Sequence, residues 1–255
     1  MLVYGALYES HRIVLERRTL RLKGWPPERS GYTIAVLSDL HLRNTYSVDV
    51  AQRAVAKALS ECPDIVVFPG DFIDQWKPGV KQMLLDVLEP MLLMEGKAVA
   101  VPGNHDYELG KIEALPPILD RCGIRLLRNE VAVIDGVQWV GVDSASAGRA
   151  RTDVLSMDRD GPPAIALWHE PDLVAMLPPG CVLQISGHSH GGQFRFPGGF
   201  TPMHTELGRW YPRGWYPKAR TPLYVSRGIG TTGPPSRYNC PPEVSLLTLV
   251  SADGA

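Results

Sequence analysis

A mixed α/β domain with more than one sheet is the fold class predicted by this 255-residue sequence. Three observations carry that expectation. Short continuous apolar runs alternate with stretches of helical spacing from Tyr32 to about residue 101. After residue 124 the pattern changes to a hairpin and further strands. Polar motifs directly follow several of the apolar runs, which is where α/β sheets carry their ligand loops.

The elements follow in order. Residues 9–23 carry Arg12, Arg17, Arg18, Arg21 and Lys23 against Glu9 and Glu16, and read as a solvated strand or ribbon edge. Gly24-Trp25-Pro26-Pro27 breaks the chain. Ile34 to Leu37 is a short apolar run, as expected of a strand buried on both faces. Residues 47–60 place Val48, Ala51, Val55, Ala58 and Leu59 at helical spacing. Ile65 to Phe68 and Ala98 to Val101 are two more buried strands. Between them, residues 79–95 read as a helix that Pro90 should break or kink. Val131 to Ile134, Asp135-Gly136 and Val137 to Val142 form a hairpin with a tight turn. Ala164 to Trp168, Val182 to Ile185 and Val244 to Val250 complete the strands, with Pro-, Gly- and aromatic-rich loops from 193 onward.

Composition narrows the function classes. The hydrophobic fraction is 44% and the charged fraction 21%, which excludes a disordered chain. A net charge of −1 offers no field to recruit duplex nucleic acid. No apolar stretch approaches the roughly 20 residues of a spanning helix. The apolar Met1 to Tyr8 is too short for a signal peptide and lacks a positive flank. A cytoplasmic location follows as an expectation, with peripheral membrane contact left open. Cys62, Cys122, Cys181 and Cys240 stand alone and read as buried free thiols.

Five motifs carry the chemistry, each directly after an expected strand. They are Ser38-Asp39-Leu40-His41, Gly70-Asp71-Phe72-Ile73-Asp74, Gly103-Asn104-His105-Asp106, Trp168-His169-Glu170 and Gly187-His188-Ser189-His190. Asp, Asn and His are ligand types for divalent metals. Asp39 and His41 are two apart, as are His188 and His190, so an extended backbone would aim each pair the same way. Gly70, Gly103 and Gly187 mark places where the backbone must turn sharply. One such Asp alone is better read as a helix cap, and one such His as a hydrogen-bonded loop residue. Five of the seven histidines falling in these motifs is the observation that favours a site.

At these residues the chain resembles the calcineurin-like metallophosphoesterase superfamily, whose pattern is D-x-H, G-D-x-x-D, G-N-H-D/E, a His and G-H-x-H. Gly191-Gly192-Gln193, Gly228 to Gly233 and Cys240-Pro241-Pro242-Glu243 are similar to a bacterial branch of YkuE- and YaeI-like phosphodiesterases and related UDP-diacylglucosamine pyrophosphatases. The resemblance implies a four-layer αββα sandwich with two mixed sheets and two metals at the sheet edge. It implies that Asp39, His41 and His190 hold one metal, that Asn104, His169 and His188 hold the second, and that Asp71 bridges them. Manganese is the expected metal, with Fe or Zn also suited to these ligands. The implied reaction is attack of a metal-bridging hydroxide on a phosphodiester or pyrophosphate. His105 would be the general acid, with Asp74 orienting and charging it. Asp106 is assigned a structural capping role. A phosphomonoesterase or protein phosphatase is the alternative activity, and a non-catalytic scaffold the alternative class.

The expected organisation is one domain, 1–255: a strand segment 1–31, a metal-site core 32–192 and a basic, aromatic lobe 193–255. Arg227 and Arg237 flank the Gly-rich turn 228–233 and are the expected phosphate-binding residues. Such a lobe would suit a small-molecule or lipid-linked diester or pyrophosphate.

Overall fold

The structure is a computed structural model that describes residues 2–253. Met1, Gly254 and Ala255, at the ends of the expected 1–255 domain, lie outside the described residues. After a short helix α1 (Leu2–Leu7), strand β1 (Val14–Leu22) leads to β2 (Tyr32–Val36), α2 (Thr45–Leu59), β3 (Ile65–Phe68), α3 (Val80–Leu88) and β4 (Ala98–Ala100). Then come α4 (Pro116–Arg121), β5 (Arg125–Leu126), β6 (Glu130–Ile134), β7 (Val137–Val142), β8 (Ala164–Trp168), β9 (Cys181–Ser186), β10 (Gly214–Tyr216), β11 (Leu223–Val225) and β12 (Glu243–Ser251).

The strands form two mixed six-stranded sheets, ordered β1-β12-β2-β3-β4-β5 and β10-β11-β9-β8-β7-β6. Strands β2 to β5 run parallel, as do β7, β8, β9 and β11. Antiparallel β12 and β6 give each sheet its mixed character.

Period-2 alternation assigns the apolar residues to layers. Ile34, Val36, Ile65, Val67 and Val99 face Trp139, Ile165, Leu167, Leu183 and Ile185 across the sandwich. Ala35, Val66, Phe68 and Ala100 pack on the other side against α2, α3 and α4. Each large aliphatic in these layers contributes about 1.5–3 kcal/mol of burial. The outer layer on the second sheet is thin: a 3-10 segment, Pro171–Met176, with the loops around it.

Local signals explain the boundaries. Asn44 and Ser47 form a reciprocal capping box that starts α2. Pro90 ends α3, and the chain continues as a 3-10 turn over Glu89–Met94. In the hairpin, Asp135 and Gly136 have φ of 51° and 69°, both positive, as a two-residue turn of this hand requires. β1 is an edge strand whose Arg17 pairs with Glu61 at 2.6 Å, so charge blunts the edge. The cysteines correct one expectation: all four are free, but Cys62 is exposed and Cys181 half-buried, with only Cys122 and Cys240 buried. Among the described residues no helix is long and apolar enough to cross a membrane.

Candidate metal centre

The five motifs meet at one edge shared by both sheets. The first sheet supplies Asp39 and His41 after β2, Asp71 after β3 and Asn104 after β4; the second supplies His169 after β8, and His188 and His190 after β9. Main-chain bonds register the loops beyond the strand ends. The Asp39 N–H donates to the Gly70 carbonyl at 3.0 Å, and the His41 N–H to the Asp71 carbonyl at 3.1 Å. Between sheets, the His188 N–H donates to Asp39 Oδ1 at 2.9 Å.

The backbone at these loops is not extended, which corrects the alternation reading. Asp39, His41, Asp71, His188 and His190 have φ of 52°, 44°, 55°, 69° and 51°. A non-glycine residue in this left-handed region costs about 1–2 kcal/mol, and such strain gathers at functional sites. The pairs two apart converge because each residue turns on its own φ. Gly70 does turn sharply, at φ 97°. Gly187 serves close approach instead, since a Cβ there would stand 2.0 Å from Ser38 Oγ and 2.4 Å from Asp39 Oδ2.

The side chains form two groups of donors. In one, Asp39 Oδ1 lies 3.5 Å and His41 Nε2 3.0 Å from His190 Nε2. In the other, His169 Nε2 lies 3.2 Å from Asp71 Oδ2 and 3.2 Å from His188 Nδ1. The same Asp71 Oδ2 is 3.4 Å from His41 Nε2, so a single oxygen reaches both groups. Asn104 Oδ1 is buried with no hydrogen-bond partner. An orphaned buried carbonyl and imidazole nitrogens facing one another are costly unless a cation satisfies them. These residues therefore fit a pair of divalent metals.

Surrounding contacts set each ring's inner nitrogen. His169 Nδ1 donates to the Pro69 carbonyl at 2.6 Å, leaving Nε2 inward. His188 Nε2 donates to the Glu206 carbonyl, leaving Nδ1 inward. Such outer bonds orient metal-binding imidazoles. Burial pushes the His41 imidazole down to about 3, and lowers those of His190 and His188. All three are thereby held neutral with a free lone pair. At Asp71 burial opposes ionisation, but His169 and His41 outweigh it and hold the carboxyl well below its usual range. The same pair acts in reverse on His169: burial disfavours its cation, yet Asp71 lifts it well above the ordinary value. Asp106 is fully buried and takes N–H bonds from Asp71, Phe72 and Gly103 at 3.0, 2.9 and 2.9 Å. It organises the loops that present Asp71 and Asn104.

Three sequence expectations need correction. Asp74 does not reach His105 through its carboxylate. Its main-chain carbonyl takes the bond from His105 Nδ1 at 3.0 Å, while Oδ1 lies 3.8 Å from His41 Nδ1 and 3.6 Å from Arg43. The carboxylate at His105 Nδ1 is that of Glu108, 3.2 Å away at the kink that ends the turn opening at His105. The His-x-x-Glu spacing was the available signal, legible only if the chain was taken to turn once between His105 and Glu108. Arg237 is fully buried, and donates to the carbonyls of Arg227, Gly228, Gly230 and Cys240, with Nη2 3.5 Å from His190 Nδ1. Arg227 pairs with Glu243 and faces Glu16 at 3.7 Å. Both guanidiniums are thus taken up by protein partners. Glu170, next to His169, binds the loop after β7 through Ser144 Oγ at 2.6 Å and the Ser146 N–H at 3.0 Å.

Comparison with known proteins matches this geometry to a family. A family model described as calcineurin-like phosphoesterase matches residues 32–192. The chain is 29% identical to the metallophosphoesterase YkuE of Bacillus subtilis, over 98% of this chain and 90% of that protein. It is 30% identical to a metallophosphoesterase of Aquifex aeolicus, covering 94% and 93%. It is 28% identical to the phosphodiesterase YaeI of Escherichia coli, covering 90% and 86%.

Proposed function

The chain belongs to the calcineurin-like phosphoesterase family and is a metal-dependent phosphoric ester hydrolase; from that premise we propose that it uses two metals and hydrolyses phosphodiester or pyrophosphate bonds. The observation that carries the two-metal reading is Asp71 Oδ2, placed 3.4 Å from His41 Nε2 and 3.2 Å from His169 Nε2. One anionic oxygen reaching both groups of donors suits two cations sharing a ligand. Asp39, His41 and His190 would hold one, and Asn104, His169 and His188 the other. When bound, the cations supply Lewis-acid chemistry, neutralising charge on the phosphoryl group and making a water acidic enough to act as nucleophile. Manganese is the proposed metal, since mixed Asp, Asn and His donors suit it.

His105 is the proposed general acid. Its backbone N–H donates to Asp71 Oδ1 at 2.9 Å, which sets it beside the shared carboxylate. Its Nδ1–H is held by the Asp74 carbonyl, so Nε2 is the nitrogen that would hand a proton to the leaving oxygen. Burial opposes the imidazolium, but Asp71, the Asp74 carbonyl, Glu108 and, last, the charge of the Asp74 carboxylate outweigh it and raise the His105 pKa. A side chain 24% exposed leaves the ring accessible to a substrate.

The preference for diesters rests on the likeness to YaeI, a phosphodiesterase. The test is turnover of a bis-aryl phosphate, an aryl monophosphate and a UDP-linked acyl sugar, with manganese present. Faster turnover of the diester or pyrophosphate supports the proposal. Exclusive turnover of the monoester would replace it with a phosphomonoesterase or protein phosphatase.

A further inference from the structure

The arginines that the site does not use gather elsewhere. A cavity of about 380 Å³ opens between the outer strands of the two sheets, β1 and β10. Volumes of about 300–1,000 Å³ are typical of small-molecule sites. Its charged lining is Arg18, Arg213 and Arg227 against Glu16 and Glu243, with Tyr224 beside them.

The two carboxylates are already engaged. Glu243 is buried and takes Arg227, the Tyr224 hydroxyl at 2.7 Å and the Ser245 hydroxyl at 2.6 Å. Glu16 takes Arg18 at 2.7 Å. Arg213 is different. It is half-buried, and among the described residues its guanidinium has no ion pair and no hydrogen bond. Arg195 is also half-buried and without an ion pair among the described residues. Burial, then the positive charges of Arg195 and Arg227, lower the Arg213 pKa. A half-buried Arg213 beside Arg227, in a cavity whose two carboxylates are already engaged, is left to offer its guanidinium to an anion from outside. A guanidinium fork matches the oxygens of a phosphate.

We propose that this cavity is a second, non-catalytic anion site that takes a phosphate group, free or esterified, with Arg213 as its principal donor. The site is independent of the reaction at the metal centre. Arg227 stays locked to Glu243 and forms the wall of the site, its aliphatic stem lying against Gly191.

The test is calorimetric titration of the metal-loaded protein with inorganic phosphate. Wild type should show a binding event additional to any at the metals, and Arg213→Gln should weaken that event by roughly tenfold or more. Arg195→Gln, which removes a positive charge acting on Arg213 from outside the cavity lining, should weaken the same event by less. Both variants should keep wild-type turnover and thermal midpoint, because neither guanidinium has a partner to lose. Phosphate should also slow phenylglyoxal modification of Arg213 in wild type, read by peptide mapping. A parallel titration with glycerol 3-phosphate separates the sources: tighter binding than inorganic phosphate assigns an esterified group, and equal or weaker binding assigns the free ion. No event beyond the metal centre, an event unchanged in Arg213→Gln, or unprotected modification of Arg213 overturns the proposal.

Discussion

Asp71 and Arg237 are both buried charges in loops at the same end of the molecule, yet their surroundings treat them oppositely. Asp71 Oδ2 faces two imidazoles at 3.4 and 3.2 Å, beside an Asn104 oxygen that has no partner at all. Arg237 directs its guanidinium onto main-chain carbonyls, at Arg227, Gly228, Gly230 and Cys240. The first arrangement leaves donor atoms aimed at one another and at an orphan. The second leaves almost nothing to offer. A buried charge whose valence is filled by backbone is part of the scaffold; one surrounded by other ligand atoms is part of a binding site.

That contrast can be broken most severely at Asp71. Asp71→Asn removes the shared anion without removing volume, and should lower turnover by ~10³-fold or more, with metal content falling by one or both equivalents. Chelation of the wild type should abolish activity, and added manganese should restore it. Full turnover by chelated enzyme would remove Asp71 from the site altogether.

His105→Ala should come next, lowering turnover by ~10²–10⁴-fold while both metals stay bound. The loss should shrink for nitrophenyl esters, whose leaving group needs no proton. Equal losses for good and poor leaving groups would contradict an acid role.

Arg237→Ala tests the other half of the comparison. It should destabilise the fold by roughly 3 kcal/mol, through the cavity and the stranded carbonyls, a drop of about 6–12 °C in Tm. The KM for a diester should stay close to wild type in the folded fraction. An intact Tm with a raised KM would return Arg237 to the substrate.

The smallest expected effects separate Asp74 from Glu108. Asp74→Asn keeps the main-chain carbonyl that holds His105, so turnover should change by no more than about threefold. Glu108→Gln removes the carboxylate 3.2 Å from His105 Nδ1 and should cost more, about three- to tenfold, in kcat rather than KM. The reverse order would mean that the Asp74 carboxylate moves onto His105 during turnover.

The amino-acid sequence by itself determined most of the strands, helices α2 and α3, and the residue types at the strand ends. Apolar runs such as Ile65 to Phe68 have few alternatives to a buried strand, and Pro90 and Asp135-Gly136 punctuate the backbone locally. It also determined that Asp39, His41, Asp71, Asn104, His169, His188 and His190 would end up at strand ends, because each follows an apolar run directly. Only the tertiary structure decided how they meet. The left-handed φ of Asp39, His41, Asp71, His188 and His190 is held by bonds between loops far apart in the chain, such as His188 N–H to Asp39 Oδ1. Asp and His tolerate a left-handed φ better than most residues, but local preference alone leaves it a minor conformation. The arginines show the same limit. Arg227 and Arg237 flank one turn in sequence, but their partners, Glu16 and Glu243 for one and four carbonyls for the other, are chosen by packing. A long, flexible side chain can satisfy its charge in many directions, so its destination is set by which acceptors the fold brings within reach.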